Sequence, residues 1–102
     1  LAMVHNNIGL VYMRLQGWPQ AELHLWHSIG LYQQVGDPQA WIDVKDALGL
    51  VYIGQNKYPL AIQMLEEALQ ELEAADHDHG FDRLWQKLTT HLQEARTRSE
   101  AT

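Results

Sequence analysis

The sequence predicts an all-α fold, a solenoid of two antiparallel helix hairpins followed by a C-terminal capping helix, with five helices in total. Three observations predict it. Residues 48–52 (LGLVY) repeat residues 8–12 (IGLVY) forty positions later in the chain. Apolar residues around both segments recur at steps of three and four, which is the spacing of one face of an α-helix. Glycine and proline interrupt these stripes, so the helices are joined by short turns.

The forty-residue period extends beyond this segment. Shifting the chain by forty pairs residues 1–35 with 41–75 and gives eight identities, against about two expected from ordinary composition. We therefore predict repeat units at 1–37 and 38–77, a capping helix at 78–98 and a frayed tail at 99–102. The identities are Val4/Val44, Gly9/Gly49, Leu10/Leu50, Val11/Val51, Tyr12/Tyr52, Pro19/Pro59, Ala21/Ala61 and Leu25/Leu65.

The first unit contains two amphipathic stripes. Gly17 is expected to end the first helix, and Pro19 suits the first turn of the second, where a missing N–H is tolerated. Residues 36–38 (GDP) offer a left-handed stop, an N-cap carboxylate and a first-turn proline in succession. The two stripes are Val4, Ile8, Val11 and Leu15, then Ala21, Leu25, Ile29 and Tyr32.

The second unit repeats this scheme, with residues 54–56 as its turn, and a fifth helix keeps the same register. Because the turns are short, each hairpin must be antiparallel. The fifth helix carries Arg83, Lys87, Arg96 and Arg98, as expected of a terminal helix with one face in water. The stripes are Val44, Leu48 and Val51; Tyr58, Ala61, Leu65, Ala68 and Leu72; and Leu84, Leu88, Leu92 and Ala95.

Composition disfavours several classes of function. The 13 acidic and 7 basic residues give a net charge of −6, which is unsuited to nucleic acid or an anionic membrane surface. The absence of cysteine excludes disulfides and thiolate metal sites. The sequence begins Leu1-Ala2-Met3, without an initiator methionine or a basic leader, so we expect a piece of a longer, cytoplasmic protein.

The order of residues in each unit resembles the tetratricopeptide repeat. The family's Leu-Gly pair falls on Ile8-Gly9 and Leu48-Gly49, and its first-helix Trp falls on His5 and Lys45, which depart from the pattern, and on Trp85, which agrees. The likeness covers residues 2–95, and the forty-residue period is similar to the family's long-helix variant. The matching structural positions are Ile8, Gly9, Tyr12, Ala21, Leu25, Leu48, Gly49, Tyr52, Ala61 and Leu65.

This resemblance implies a protein-interaction module that binds a peptide or partner helix along the concave side. A second stripe on the first helix of each unit would line that side, and its mixture of apolar and polar residues suits an apolar segment held by a few polar contacts. The alternative is that Leu10 and Leu50 pack adjacent first helices together, in an architectural or oligomerisation segment without a groove ligand. The predicted lining is Met3, Asn6, Leu10, Met13, Asp43, Asp46, Leu50 and Ile53.

No catalytic motif is recognisable. The sequence lacks a nucleophile motif, a glycine-rich phosphate loop and HExxH. The pairs Glu66/Glu67 and Glu71/Glu73 are expected on the outer side of a helix, where a charge run normally meets water. We therefore expect no enzyme and no cofactor.

Six histidines raise the possibility of a metal site. His24 and His27 lie three residues apart, and His77 and His79 stand beside Asp76 and Asp78. Such pairs are usually solvated and no third ligand is fixed by spacing, so no metal is expected. His5 is expected to be partly buried beside a helix.

A homodimer is a further possibility. The first helix has no preceding unit in this sequence, so part of its apolar surface can remain uncovered, and uncovered apolar patches promote pairing through a two-fold contact. The residues concerned are Leu1, Met3, Val4, Val11 and Trp26.

Overall fold

A computed structural model describes residues 1–75 and 80–101 as five α-helices. They are α1 (Ala2–Arg14), α2 (Trp18–Val35), α3 (Pro38–Gly54), α4 (Tyr58–Ala75) and α5 (Asp82–Ala101). Within these residues there is no β-strand. The predicted all-α fold of five helices is confirmed.

The helices form a linear stack. Each helix packs against the next along the chain, and α3 also contacts α1 and α5. The layer of α1, α3 and α5 therefore lies against a second layer made of α2 and α4. The molecule is elongated, with dimensions of 37 × 27 × 17 Å. This is the predicted arrangement of two hairpins and one added helix.

The turn inside each hairpin has the same geometry in both units. Gln16 and Asn56, forty residues apart, have φ angles of 60° and 61°. The next amide, that of Gly17 or Lys57, donates to the carbonyl five residues earlier at 2.8 Å in each unit. The prediction that Gly17 ends the first helix therefore needs correction, because Gly17 has φ of −82° and is the N-cap of α2. The left-handed residue that this helix end requires is Gln16.

The link between the units follows the sequence prediction. Gly36 has φ of 81° and ends α2 in the left-handed conformation. The Asp37 carboxylate accepts a hydrogen bond from the amide of Ala40 at 3.1 Å, and Pro38 is the first residue of α3. The corresponding link of the second unit, residues 76–79, lies outside the described residues.

Two glycines in register allow the paired helices to approach closely. A Cβ atom added to Gly9 would lie 2.8 Å from Leu25 Cγ, and one added to Gly49 would lie 2.6 Å from Leu65 Cδ2. Carbon atoms in contact normally lie about 3.5–4.0 Å apart, so neither position has room for a side chain. The two glycines have equivalent surroundings, as the repeat predicts.

The repeat positions form a core that is more complete in the second unit. Ile8 and Tyr12 are only half-buried, whereas their counterparts Leu48 and Tyr52 are buried. The difference arises because α3 has helices on both sides, while α1 contacts only α2 and α3 among the described helices. The other buried repeat positions are Gly9, Ala21, Leu25, Gly49, Ala61 and Leu65.

The fifth helix is longer than the sequence indicates. It continues to Ala101 and so includes residues 99–101, which the sequence analysis assigned to a frayed tail. An ion pair between Arg98 and Glu94, 3.1 Å apart, spans its last turns. Oppositely charged side chains four residues apart support a helix in this way.

Two of the basic residues on α5 connect it to the preceding helices. Lys87 forms a salt bridge with Asp43 of α3, and Arg96 Nη2 lies 2.8 Å from Glu66 Oε2 of α4. Their side chains stay about half exposed, so these pairs contribute little to stability. They nevertheless contact both neighbouring helices, whereas the sequence predicted only that the basic side chains of α5 face water.

Candidate functional site

The stripe predicted on α1 is partly open. Met3 exposes 65% of its surface, while Asn6, Leu10 and Met13 are half-buried. Leu10 and Met13 also pack against the buried core. This side of α1 therefore presents a strip of apolar surface that contains one side-chain amide.

The matching stripe on α3 is more enclosed. Asp43 and Leu50 are half-buried, but Asp46 and Ile53 are only 2% and 4% exposed. The added neighbour α5 packs alongside α3. Asp46 and Ile53 are therefore not available to a ligand in this structure, because α5 packs beside them in the position that the first helix of a third unit would take.

Asp46 is held by side chains from α5. His91 Nδ1 donates a hydrogen bond to Asp46 Oδ1 at 2.7 Å, and Lys87 Nζ lies 3.9 Å from Asp46 Oδ2. Lys87 pairs at the same time with Asp43. Asp43 and Asp46 were predicted to contact a ligand, but in this structure they contact side chains of α5.

Burial raises the pKa of the Asp46 carboxyl above its usual 3.8. The hydrogen bond and charge of His91 and the charge of Lys87 lower this pKa, the charge of Asp43 raises it, and burial has the largest effect. The folded protein therefore binds a proton at Asp46 more tightly than the unfolded chain does. The resulting stabilisation is complete below pH 3.8 and is lost as the pH rises through the folded-state pKa.

We expect Asp46→Asn to be more stable than the wild type at pH 7, since it removes a buried charge and keeps an acceptor for His91. This advantage should shrink as the pH falls, because the wild-type carboxyl then becomes neutral. Urea unfolding of both proteins at pH 7, 5.5 and 4 measures the difference. Glu73→Gln, at an exposed position away from Asp46, is the matched control. An advantage that grows on acidification would contradict the assignment.

A shallow cavity lies between the first turns of α3 and α5. Its volume is about 390 Å³, and both acidic and basic side chains line it. The α5 side of this cavity was not predicted from the sequence. Arg83 follows Asp43 by forty residues, so continuing the period into the fifth helix would have placed Arg83 on the stripe. The lining residues are Asp37, Gln39, Ala40, Asp43, Arg83, Leu84 and Lys87.

A polar cluster joins α3 to α4 on another side of α3. The Glu71 carboxylate accepts a hydrogen bond from Trp41 Nε1 at 2.7 Å and another from Lys45 Nζ, whose side chain is buried. Glu71 was expected on a face that meets water, but its side chain is only 35% exposed because it also contacts Trp41 and Lys45. No spacing in the sequence relates residues 45 and 71, so the pairing depends on how the two helices are rotated.

Three histidines come together between α1 and α2. The His5 ring stacks on His24 and His27, with ring centroids 5.4 and 5.2 Å apart, and the Nδ1 atoms of His5 and His24 are separated by 3.2 Å. In the part of the chain that the structure describes, no group of three or more ligand-type side chains is arranged to hold a metal ion. His77 and His79, with Asp76 and Asp78, lie outside the described residues.

The repeat matches the model of a known protein family. The family model that matches residues 1–74 is described as tetratricopeptide repeat. The chain belongs to the tetratricopeptide repeat family. No curated protein and no solved structure was found to match it. The match covers both hairpins of the tetratricopeptide repeat stack and ends before α5.

Membership of this family bears on the site in general terms. Tetratricopeptide repeats are usually non-catalytic modules for protein–protein interaction. None of the described helices is long and apolar enough to cross a bilayer. The surfaces of the stack are therefore the features to consider for function.

Proposed function

We propose that this chain binds a peptide or partner helix of another protein along the concave side formed by its first helices. The most direct support is the solvent exposure of α1. The side chains of Met3, Leu10 and Met13 remain partly exposed beside α3. A partly open apolar strip with a few polar groups is the usual form of a peptide-binding surface.

The proposed binding surface is narrower than the sequence suggested. It consists of the four α1 residues together with Leu50 and Asp43 of α3, and it ends at the cavity beside Arg83. Apolar ligand side chains would cover Leu10 and Leu50, and polar groups of the ligand would meet Asn6 and the charged cavity. Asp46 and Ile53 would support this surface from beneath.

The experiment uses helical and extended peptides selected against the chain from a displayed random library. We expect Leu10→Glu and Leu50→Glu each to weaken the binding of selected peptides about tenfold or more, because a charge would face an apolar ligand group, and tenfold corresponds to about 1.4 kcal/mol. Fluorescence anisotropy measures the affinity. Leu23→Glu, on the exposed side of α2, is the control and should bind normally.

Circular dichroism of the same variants distinguishes binding from folding. Helicity and the melting temperature should stay close to those of the wild type. If Leu10→Glu and Leu50→Glu both unfold the chain, these leucines are packing residues and the proposed groove is contradicted.

An architectural or oligomerisation segment with no groove ligand is the second candidate. The burial of Asp46 and Ile53, together with the salt bridge between Lys87 and Asp43, favours it, since these contacts close part of the α3 side of the predicted groove. Selected peptides whose affinity is unchanged by Leu10→Glu and Leu50→Glu would support this candidate.

A further inference from the structure

The helices α1, α3 and α5 form one layer and carry residues in register on the side of the proposed binding surface. Residues forty positions apart occupy equivalent places on successive helices of this layer. Each predicted lining position on α1 therefore begins a row that crosses α3 and ends on α5. The rows are Met3, Asp43 and Arg83; Asn6, Asp46 and Gln86; Leu10, Leu50 and Thr90; and Met13, Ile53 and Gln93.

These rows change from apolar to polar along the stack. On α1 every position except Asn6 is apolar, whereas on α5 every position is polar and exposed. The helix α3 lies between them and offers the half-buried side chains of Leu50 and Asp43. A ligand that crosses the rows therefore meets apolar surface at its α1 end and polar surface at its α5 end.

Arg83 gives the polar end a positive charge. Its side chain is exposed and lines the cavity of about 390 Å³ between the first turns of α3 and α5. Among residues 1–75 and 80–101 its guanidinium has no ion pair. A guanidinium binds a carboxylate through two parallel N–H donors, so an acidic group of a ligand would complement it.

The other charged groups of this cavity already have partners. Lys87 forms a salt bridge with the Asp43 carboxylate. The Asp37 carboxylate accepts a hydrogen bond from the amide of Ala40 at the start of α3, where the helix dipole offsets its negative charge. Arg83 is therefore the cavity group left to pair with a ligand, and the ligand group that fits it is an acid.

The spacing of the helices sets the length of the ligand segment. Helices in contact lie about 8–10 Å apart, so two such steps, from α1 across α3 to α5, cover about 16–20 Å. An extended chain advances about 3.3 Å per residue and crosses this distance in about six residues. The apolar end and the acidic end of a bound segment are therefore about six residues apart.

We propose that the segment bound by this chain is extended and carries an apolar side chain and, about six residues away, an acidic side chain. The apolar side chain covers Met3 and Leu10 of α1, and the carboxylate binds the Arg83 guanidinium at the edge of the cavity. This proposal rests on the proposed function above and specifies the chemistry of its ligand.

Peptides of about twelve residues, selected against the wild-type chain from a displayed random library, are the probes. We expect them to carry Asp or Glu about six positions from an apolar residue. Replacing that acid with lysine should weaken binding about fivefold or more in fluorescence anisotropy, because attraction becomes repulsion. The Arg83→Glu protein should reverse this preference and bind the lysine peptide more tightly. The Arg83→Gln protein should bind both peptides about equally.

Arg98→Glu is the matched control, since it makes the same change of charge on the same exposed helix. Along α5 it lies about 22 Å from Arg83 at 1.5 Å per residue. This distance exceeds the Debye length of about 8 Å at physiological salt, so the preference for the acidic peptide should persist. Circular dichroism should show wild-type helicity for every variant, because both arginines are exposed.

The outcomes separate this proposal from the proposed function. Selected peptides without an acid, or a preference for the acid that Arg83→Glu does not reverse, overturn the proposal. The proposed function still stands in that case if Leu10→Glu weakens the same peptides. Peptides whose affinity neither Leu10→Glu nor Leu50→Glu changes contradict the proposed function itself, and the proposal fails with it.

Discussion

Replacing Gly49 with leucine is expected to lower the free energy of unfolding by about 3 kcal/mol or more. Even the first added carbon would lie 2.6 Å from Leu65 Cδ2, and Leu65 is completely buried, so it cannot move aside into solvent. Overpacking a filled core usually costs about 1–3 kcal/mol, and leucine adds four carbons where there is no room for one. Chemical denaturation followed by circular dichroism measures the loss.

Gly30 provides the matched control for this substitution. It also lies within a helix, α2, but an added Cβ would meet no atom within 4 Å. Gly30→Leu should raise stability by about 0.5–1 kcal/mol, because leucine favours the helix more than glycine does. Equal effects at the two glycines would contradict the close approach of α3 and α4.

Replacing Glu71 with alanine is expected to cost about 2–3 kcal/mol. The change leaves the buried ammonium of Lys45 without its counter-charge and Trp41 Nε1 without its acceptor. Removing one partner of a fully buried ion pair typically costs about 3–5 kcal/mol, and we expect less here because the Glu71 side chain is 35% exposed. The same denaturation experiment measures this effect.

The neighbouring acid Glu73 is the control, since it is exposed and Glu73→Ala should change stability by about 0.5 kcal/mol or less. Glu71→Gln should have an intermediate effect, because it keeps an acceptor for Trp41 but not the charge. A loss below about 1 kcal/mol for Glu71→Ala would show that Lys45 reaches water easily and that the cluster is not needed for folding.

The fold could be predicted from the sequence because its main determinants are local or periodic. Gly9 and Gly49 are identical residues forty positions apart, so they reveal the repeat. Residues 36–38 contain the complete signal for ending one helix and starting the next. The left-handed turn residue could not be found in this way. Gln16 has no special preference for that conformation, so the packing of α1 on α2 imposes it.

The candidate site could be predicted only in part, because side-chain partners from distant segments decide which positions stay open. The forty-residue period predicted that Asp46 lies on the concave stripe. It could not show that His91 of α5 forms a hydrogen bond with Asp46. Likewise, the pairing of Lys45 with Glu71 depends on the rotation of two helices about their axes, which hydrophobic spacing fixes only approximately. Along α1, on which α3 packs less extensively than α5 packs on α3, the predicted stripe remains partly open.

The position of α3 at the centre of the stack has a consequence for the shape of the molecule. Since α3 is the helix of the second hairpin that contacts the first hairpin, the angle between the two hairpins is set where α3 packs on α2 and α1. Small changes in the size of the side chains at this contact would alter the curvature of the superhelix, and with it the distance between the α1 and α3 residues of the proposed binding surface. Sequence variation on the side of α3 that packs on α2 would thus change which peptides fit the proposed surface, without any change to the residues that line it.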